Sequence, residues 1–206
     1  MTDAGADVET IETIAMDIKP CLGCFTCWTK TPGKCIQKDD MGAALMKIAA
    51  ADLIVYATPV YVDGMTGTMK NFVDRGLPLL KGQFEIRNGH CRHALREHVT
   101  ATGKAVLFAV SGFPELDNFD PLIAHIKAAC RNMSREFVGA ILRPCAWLLP
   151  ELEARGRPMT HIYDALRSAG REVVTTGSID PKTIAAIEAD LVPKEIIVKS
   201  ANTHVK

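Results

Sequence analysis

Three short, unbroken apolar runs constrain this chain most: Leu53–Ala57 (LIVYA), Lys104–Val110 (KAVLFAV) and Phe137–Leu142 (FVGAIL). Each is too short for a core helix and has no polar face, so each suits a strand buried on both sides in a parallel sheet. Helix-period segments separate them. Met41 to Ala51 follows a capping Asp39 or Asp40; Thr66 to Leu77 is stopped by Pro78; Phe119 to Met133 follows the turn Ser111-Gly112-Phe113-Pro114. Strands alternating with helices imply an α/β fold, a doubly wound parallel sheet with helices on both faces. Val8–Ile14 (VETIETI) alternates β-branched with polar residues and reads as a further, half-buried strand. Residues 81–102 are polar, hold three of the six histidines, and read as an insertion of loop and short helix. Residues 143–206 read as a C-terminal helical extension, with helices about Thr160–Ala169 and Pro181–Leu191 and an extended tail.

At 206 residues, one domain with one well-filled core is expected. Lys plus Arg equals Asp plus Glu at 24 each, so no net field draws in nucleic acid or an anionic membrane, and neither is expected as a partner. No apolar stretch approaches the roughly 20 residues that cross a bilayer. Seven cysteines, unevenly placed, do not make a secreted disulfide scaffold, and a reducing cytoplasm is the expected compartment. Cys91, Cys130 and Cys145 are expected as core or surface thiols.

The other four form the run Cys21-x2-Cys24-x2-Cys27-x7-Cys35, followed by Asp39-Asp40. Three thiols at this spacing can wrap one inorganic centre with a fourth from further along the loop, as iron-sulfur clusters require. A tetrahedral zinc site would use the same sulfurs, although structural zinc usually takes two separated C-x(2–4)-C pairs. Small, partly buried free thiols are the third reading. The long tether to Cys35 implies that Cys21, Cys24 and Cys27 converge more closely than Cys35 does.

Two loops fall at the carboxyl ends of expected strands, where ligands of parallel α/β sheets bind. They are 58–67, beginning Thr58-Pro59-Val60-Tyr61, and 111–118, beginning Ser111-Gly112-Phe113. Their glycines and small residues would let backbone approach a planar ligand; the same composition also suits plain turns. Trp28 and Tyr61 could stack on such a ligand or simply pack. His90-Cys91-x-His93-x4-His98 matches no standard zinc spacing, even with His93 and Arg96 sharing a helical face. Ser111-Gly112 lacks the nucleophile elbow of hydrolases, and Gly64-x-x-Gly67 lacks the rest of a dinucleotide fingerprint.

Taken together, PCLGCFTCWTKTPGKCIQKDDM (Pro20 to Met41), ADLIVYATPVYVDGMTGTMKNFVDR (Ala51 to Arg75) and GKAVLFAVSGFPELDNFDPL (Gly103 to Leu122) resemble the flavodoxin-like NAD(P)H-dependent FMN reductase family, in the branch that includes the iron-sulfur flavoproteins. The resemblance covers almost the whole chain. It implies a flavodoxin-like fold, with Thr58, Pro59, Val60 and Tyr61 wrapping the flavin ring and Ser111, Gly112 and Phe113 closing its other side. It also implies Cys21, Cys24, Cys27 and Cys35 as ligands of a 4Fe-4S cluster in cluster-carrying members. Family members open with a strand, a Gly-Ser-Pro-Arg type loop that holds the FMN phosphate, and a helix. Met1 to Val8 resembles the end of that helix, so the expectation is an N-terminal truncation lacking the first strand, the phosphate loop and most of the first helix, roughly 30 to 40 residues.

The function implied is an FMN-dependent oxidoreductase that takes electrons from NADH or NADPH, with no catalytic side chain of its own because the cofactor carries the chemistry. The alternative is an iron-sulfur flavoprotein relaying electrons to a ferredoxin-type partner. A third reading is a non-enzymatic remnant that has lost FMN binding. A homo-oligomer is expected.

Overall fold

The computed structural model describes residues 1–99 and 103–203. Thr100 to Thr102, the end of the expected insertion, and His204 to Lys206 lie outside the described residues.

The three apolar runs form one parallel sheet in the order β1 (Leu53–Pro59), β4 (Lys104–Val110), β5 (Glu136–Arg143). Leu53 pairs with Lys104 and Pro59 with Val110. Side chains alternate between two cores, as the pleat demands. Ala105, Leu107 and Ala109 join Tyr56 against α3 (Gly67–Asp74) and α4 (Asp120–Asn132), through Met69, Val73, Leu122, Ile126 and Cys130. Val106 and Phe108, with Leu53 and Ile141, pack against α6 (Thr160–Thr176) and α7 (Pro181–Glu188) through Ala169, Val173, Ile184 and Ile187. The helix limits have local causes. Thr66 caps α3 by accepting from Met69 N at 3.3 Å, and Asp180 caps α7 by accepting from Lys182 N at 2.7 Å. Arg135 ends α2 (Met41–Ala50) by donating to the carbonyls of Ile48 and Ala51 at 2.8 and 2.9 Å.

Three expectations are corrected. Val8–Ile14 is not a strand: Ile11 packs with Met16 and Ile18 beside α2 and Phe72, Val8 and Ile14 stay exposed, and its backbone joins no ladder. Alternation marks a face but supplies no partner. Residues 81–102 contain no helix among those described; they carry the antiparallel hairpin β2 (Leu80–Arg87) and β3 (His90–Leu95). Asn88-Gly89 makes its turn, with φ of 53° and 76°, the left-handed pair a tight hairpin needs. Finally, residues 194–203 are not extended but form the helix α8 (Lys194–Thr203) after α7, and a further helix, α5 (Leu148–Ala154), precedes α6.

Candidate functional site

The two loops at the carboxyl ends of β1 and β4 come together. Val60 N donates to Val110 O at 2.8 Å, carrying the strand pairing into the loops. Thr58 and Ser111 are buried at the base, where each hydroxyl is spent internally. Thr58 Oγ1 donates to Pro59 O and accepts from Thr66 N; Ser111 Oγ donates to Phe113 O at 2.9 Å. They therefore shape the loops. Above them Tyr61 is 64% exposed and Phe113 68% exposed, two aromatic surfaces on neighbouring loops. A tight turn projects Val62 and Asp63, at φ 47° and 61°, between paired Tyr61 and Gly64. Gly112 O accepts from Trp147 Nε1 at 3.0 Å, which fixes the second loop from the far side.

The cysteine run forms a second site. Cys21, Cys24, Cys27 and Cys35 line one small pocket with Leu22, Phe25, Ile36 and Arg75. Cys27 is the second residue of the single helical turn in the run, α1 (Thr26–Thr29), and is buried; Cys21 and Cys24 are exposed. Burial raises the Cys27 thiol, and so, in decreasing order, do the charges of Cys35, Cys21 and Cys24. Cys35 lines the same pocket, so its long tether folds back toward the other three. Hydrogen bonds from the Thr26 hydroxyl and amide lower the exposed Cys24 thiol.

Two arginines and a tryptophan hold this loop. Arg75 Nη1 donates to Lys19 O and Asp39 Oδ2, both at 2.6 Å; Nη2 donates to Asp39 Oδ1 at 3.0 Å and Cys35 Sγ at 3.4 Å. Asp39, held below the ordinary carboxylate range chiefly by that guanidinium, also accepts from Lys19 N and from Met41 N at the start of α2. Arg96 Nη2 donates to Cys27 O at 3.1 Å, and Trp28 Nε1 to Leu77 O at 2.9 Å. Trp28 packs between Phe25 and His93 at ring centroids of 5.1 and 4.4 Å, so it anchors the loop to the hairpin. His93 lies on a strand, so its expected helical face with Arg96 does not exist. Among the described residues no group of three or more His, Cys, Asp or Glu side chains is arranged to hold a single metal ion. Of the remaining thiols, Cys130 and Cys145 are buried and Cys91 is exposed.

Residue-by-residue reading missed the roles of Arg75 and Arg96. Both belong to elements distant in sequence from the cysteines, and a lone arginine announces no partner.

The model of the NADPH-dependent FMN reductase family matches residues 1–112. The chain belongs to this family. It is 39% identical over 84 residues to an iron-sulfur flavoprotein of Archaeoglobus fulgidus, covering 41% of this chain and 40% of that one. It is 36% identical over 88 residues to an iron-sulfur flavoprotein of Methanocaldococcus jannaschii, covering 43% and 44%. The chain therefore matches less than half the length of these relatives. A solved quinone reductase candidate from Klebsiella pneumoniae superposes with a TM-score of 0.51 at 16% identity, over 80% of this chain and 74% of that one, and shares the flavodoxin-like α/β fold.

Proposed function

We propose that this chain is an FMN-dependent oxidoreductase that draws electrons from NADH or NADPH. The observation that carries the reading is the pair of loops locked together by the Val60–Val110 hydrogen bond at the carboxyl ends of β1 and β4, the position where open parallel sheets bind ligands. Bound FMN would supply hydride acceptance and electron release. The chain supplies position and shape. Thr58 and Ser111, buried and internally bonded, set the loop floors; Pro59, Val60 and Gly112 leave backbone at the rim; Tyr61 and Phe113 offer exposed aromatic faces to a planar ring. FMN added to the purified chain, followed by quenching of flavin fluorescence and oxidation of NADPH, tests this. A folded chain that neither quenches the flavin nor oxidises the nucleotide rejects it.

A second reading is favoured by a specific observation, the four cysteines around one pocket. The donor set fits: four free thiols line one pocket, and four cysteine thiolates are the usual ligand set of a 4Fe-4S cluster. Iron-sulfur flavoproteins among the matched relatives support it. Cys21, Cys24, Cys27 and Cys35 would hold the cluster, and a bound cluster would supply single-electron transfer. The electron partner is then of ferredoxin type, with the chain working as a homo-oligomer in the cytoplasm. Iron and sulfide analysis after anaerobic reconstitution decides it; a folded protein that takes up neither loses this reading.

A further inference from the structure

We infer that Arg75 is a positioning residue for the cysteine pocket, which fastens Cys35 beside Cys27 and supplies a hydrogen bond and a positive charge to whatever the four sulfurs hold. The inference rests on the cluster reading above.

The physical problem is the seven-residue tether between Cys27 and Cys35. A chain of that length closes many loops, and a ligand at its end needs something to hold it in register. Local turns fix the first part: Gly33 N donates to Cys27 O at 2.9 Å and Lys34 N to Thr31 O at 2.8 Å. They stop short of Cys35, whose sulfur is instead met by Arg75 Nη2 from the end of α3. The guanidinium is not free to wander. Its side chain is 1% exposed, its Asp39 partner 0% exposed, and both carboxylate oxygens are engaged. Asp39 in turn is tied to the backbone on either side of the run, at Lys19 and Met41. One planar fork thus joins the entry to the cysteine run, its exit and its last sulfur, a task suited to arginine and not to lysine.

The second observation concerns a donor. Arg75 lines the pocket, and its buried Nε has no hydrogen-bond partner among the described residues. A buried donor left unmatched is costly, and a sulfur-rich anion would satisfy it. Four thiolates around an iron-sulfur core leave net negative charge in the pocket, and hydrogen bonds to cluster sulfurs are among the factors that set cluster potential.

The test is anaerobic iron and sulfide reconstitution of the full chain in wild-type, Arg75→Lys and Asp39→Asn forms, with folding checked by far-UV circular dichroism. Two quantities are read: iron retained against a chelator, and the cluster's reduction potential. Lysine keeps a cation opposite Asp39 but cannot fork to Cys35. Retention should weaken about 10- to 100-fold, the scale found for partners of metal ligands, and the potential should move to more negative values. The potential is the readout that a merely structural role would leave in place. Asp39→Asn keeps the guanidinium but loosens its anchor, so retention should fall in the same direction, and it decides the matter if the lysine variant does not fold. A wild-type chain that takes up no iron overturns the cluster reading and this role with it. A wild-type chain that loads while a folded variant matches it in retention and potential overturns the role of Arg75 alone.

Discussion

The amide of Val60 and the carbonyl of Val110 are 2.8 Å apart, and this bond places the 58–61 and 111–113 backbones side by side at one end of the sheet. A ligand between the loops would meet backbone more than functional side chains, since Thr58 and Ser111 direct their hydroxyls inward.

Gly112 allows a clean probe of that arrangement. A Cβ built there meets nothing within 4 Å, and its φ is not in the left-handed region. Gly112→Leu should leave the unfolding free energy within about 0.5 kcal/mol of wild type, as for surface substitutions, yet weaken FMN binding by at least about tenfold if the ring approaches the backbone there. Fluorescence titration with FMN alongside urea unfolding measures both. Unchanged flavin affinity would remove the second loop from the site.

Much of this fold was legible because strands of a parallel sheet write themselves as uninterrupted apolar runs, although only the central β4 is buried on both faces, while Val55 and Ala57 of β1 are exposed. Leu53–Ala57, Lys104–Val110 and Phe137–Leu142 each became a strand of the one parallel sheet, with bounds shifted by at most two residues. Val8–Ile14 was misread because alternation records which side chains are apolar and not whether a ladder partner exists. The hairpin was misread because Phe84 and Ile86, exposed on β2, were outweighed by the surrounding charge and histidines. The overlooked signal was Asn88-Gly89, the strongest short-range hairpin marker. In the site, the cysteine spacing was visible at once, whereas Arg75 lies 40 residues beyond Cys35 and is brought to it only by the packing of α3.

Gly103 marks where β4 enters the sheet, and there is no room beside it. A Cβ at this position would lie 2.3 Å from Asp52 O and 2.5 Å from Arg135 Nη1. Asp52 O accepts the first cross-strand bond, from Lys104 N at 2.8 Å, and Arg135 closes the end of α2. Gly103→Ala should therefore cost about 1–3 kcal/mol, the usual scale of overpacking, through a strand start and a helix end displaced together. Urea unfolding that gives wild-type stability would contradict the close approach.

Two neutral groups, the partly buried Tyr56 and the buried Cys130, set an alkaline limit. Burial pushes the Tyr56 phenol up to about 12 and the Cys130 thiol up to about 11, from 10.0 and 9.0. Both values are raised in the folded state, so their stabilisation is complete below the unfolded values and is lost as pH rises through the folded ones. Stability should fall from about pH 9 to 12, and Tyr56→Phe should flatten the upper part of that fall while leaving the part due to Cys130. Denaturant unfolding across this range is the measurement; equal slopes in both proteins above pH 10 would show that Tyr56 titrates as it does in the unfolded chain.

The Asp39–Arg75 pair sets the acid limit. The carboxylate is held below its ordinary value by the guanidinium first, with backbone donors at Lys19 and Met41 assisting against burial. A depressed folded value means stability that is present above the unfolded pKa, near 3.9, and is lost as pH falls through the lower folded one. Asp39→Asn removes the charge while keeping the shape, leaving a buried guanidinium without its counter-ion. It should cost about 3–5 kcal/mol near neutral pH, as expected when one partner of a buried pair is removed. The variant should also lose the part of the acid-induced decline below about pH 4 that belongs to Asp39. Measuring unfolding free energy from neutral pH down to pH 2 for both proteins separates the two effects. A variant nearly as stable as wild type at neutral pH, with an identical acid limb, would mean that this ion pair does not hold the cysteine run to α3.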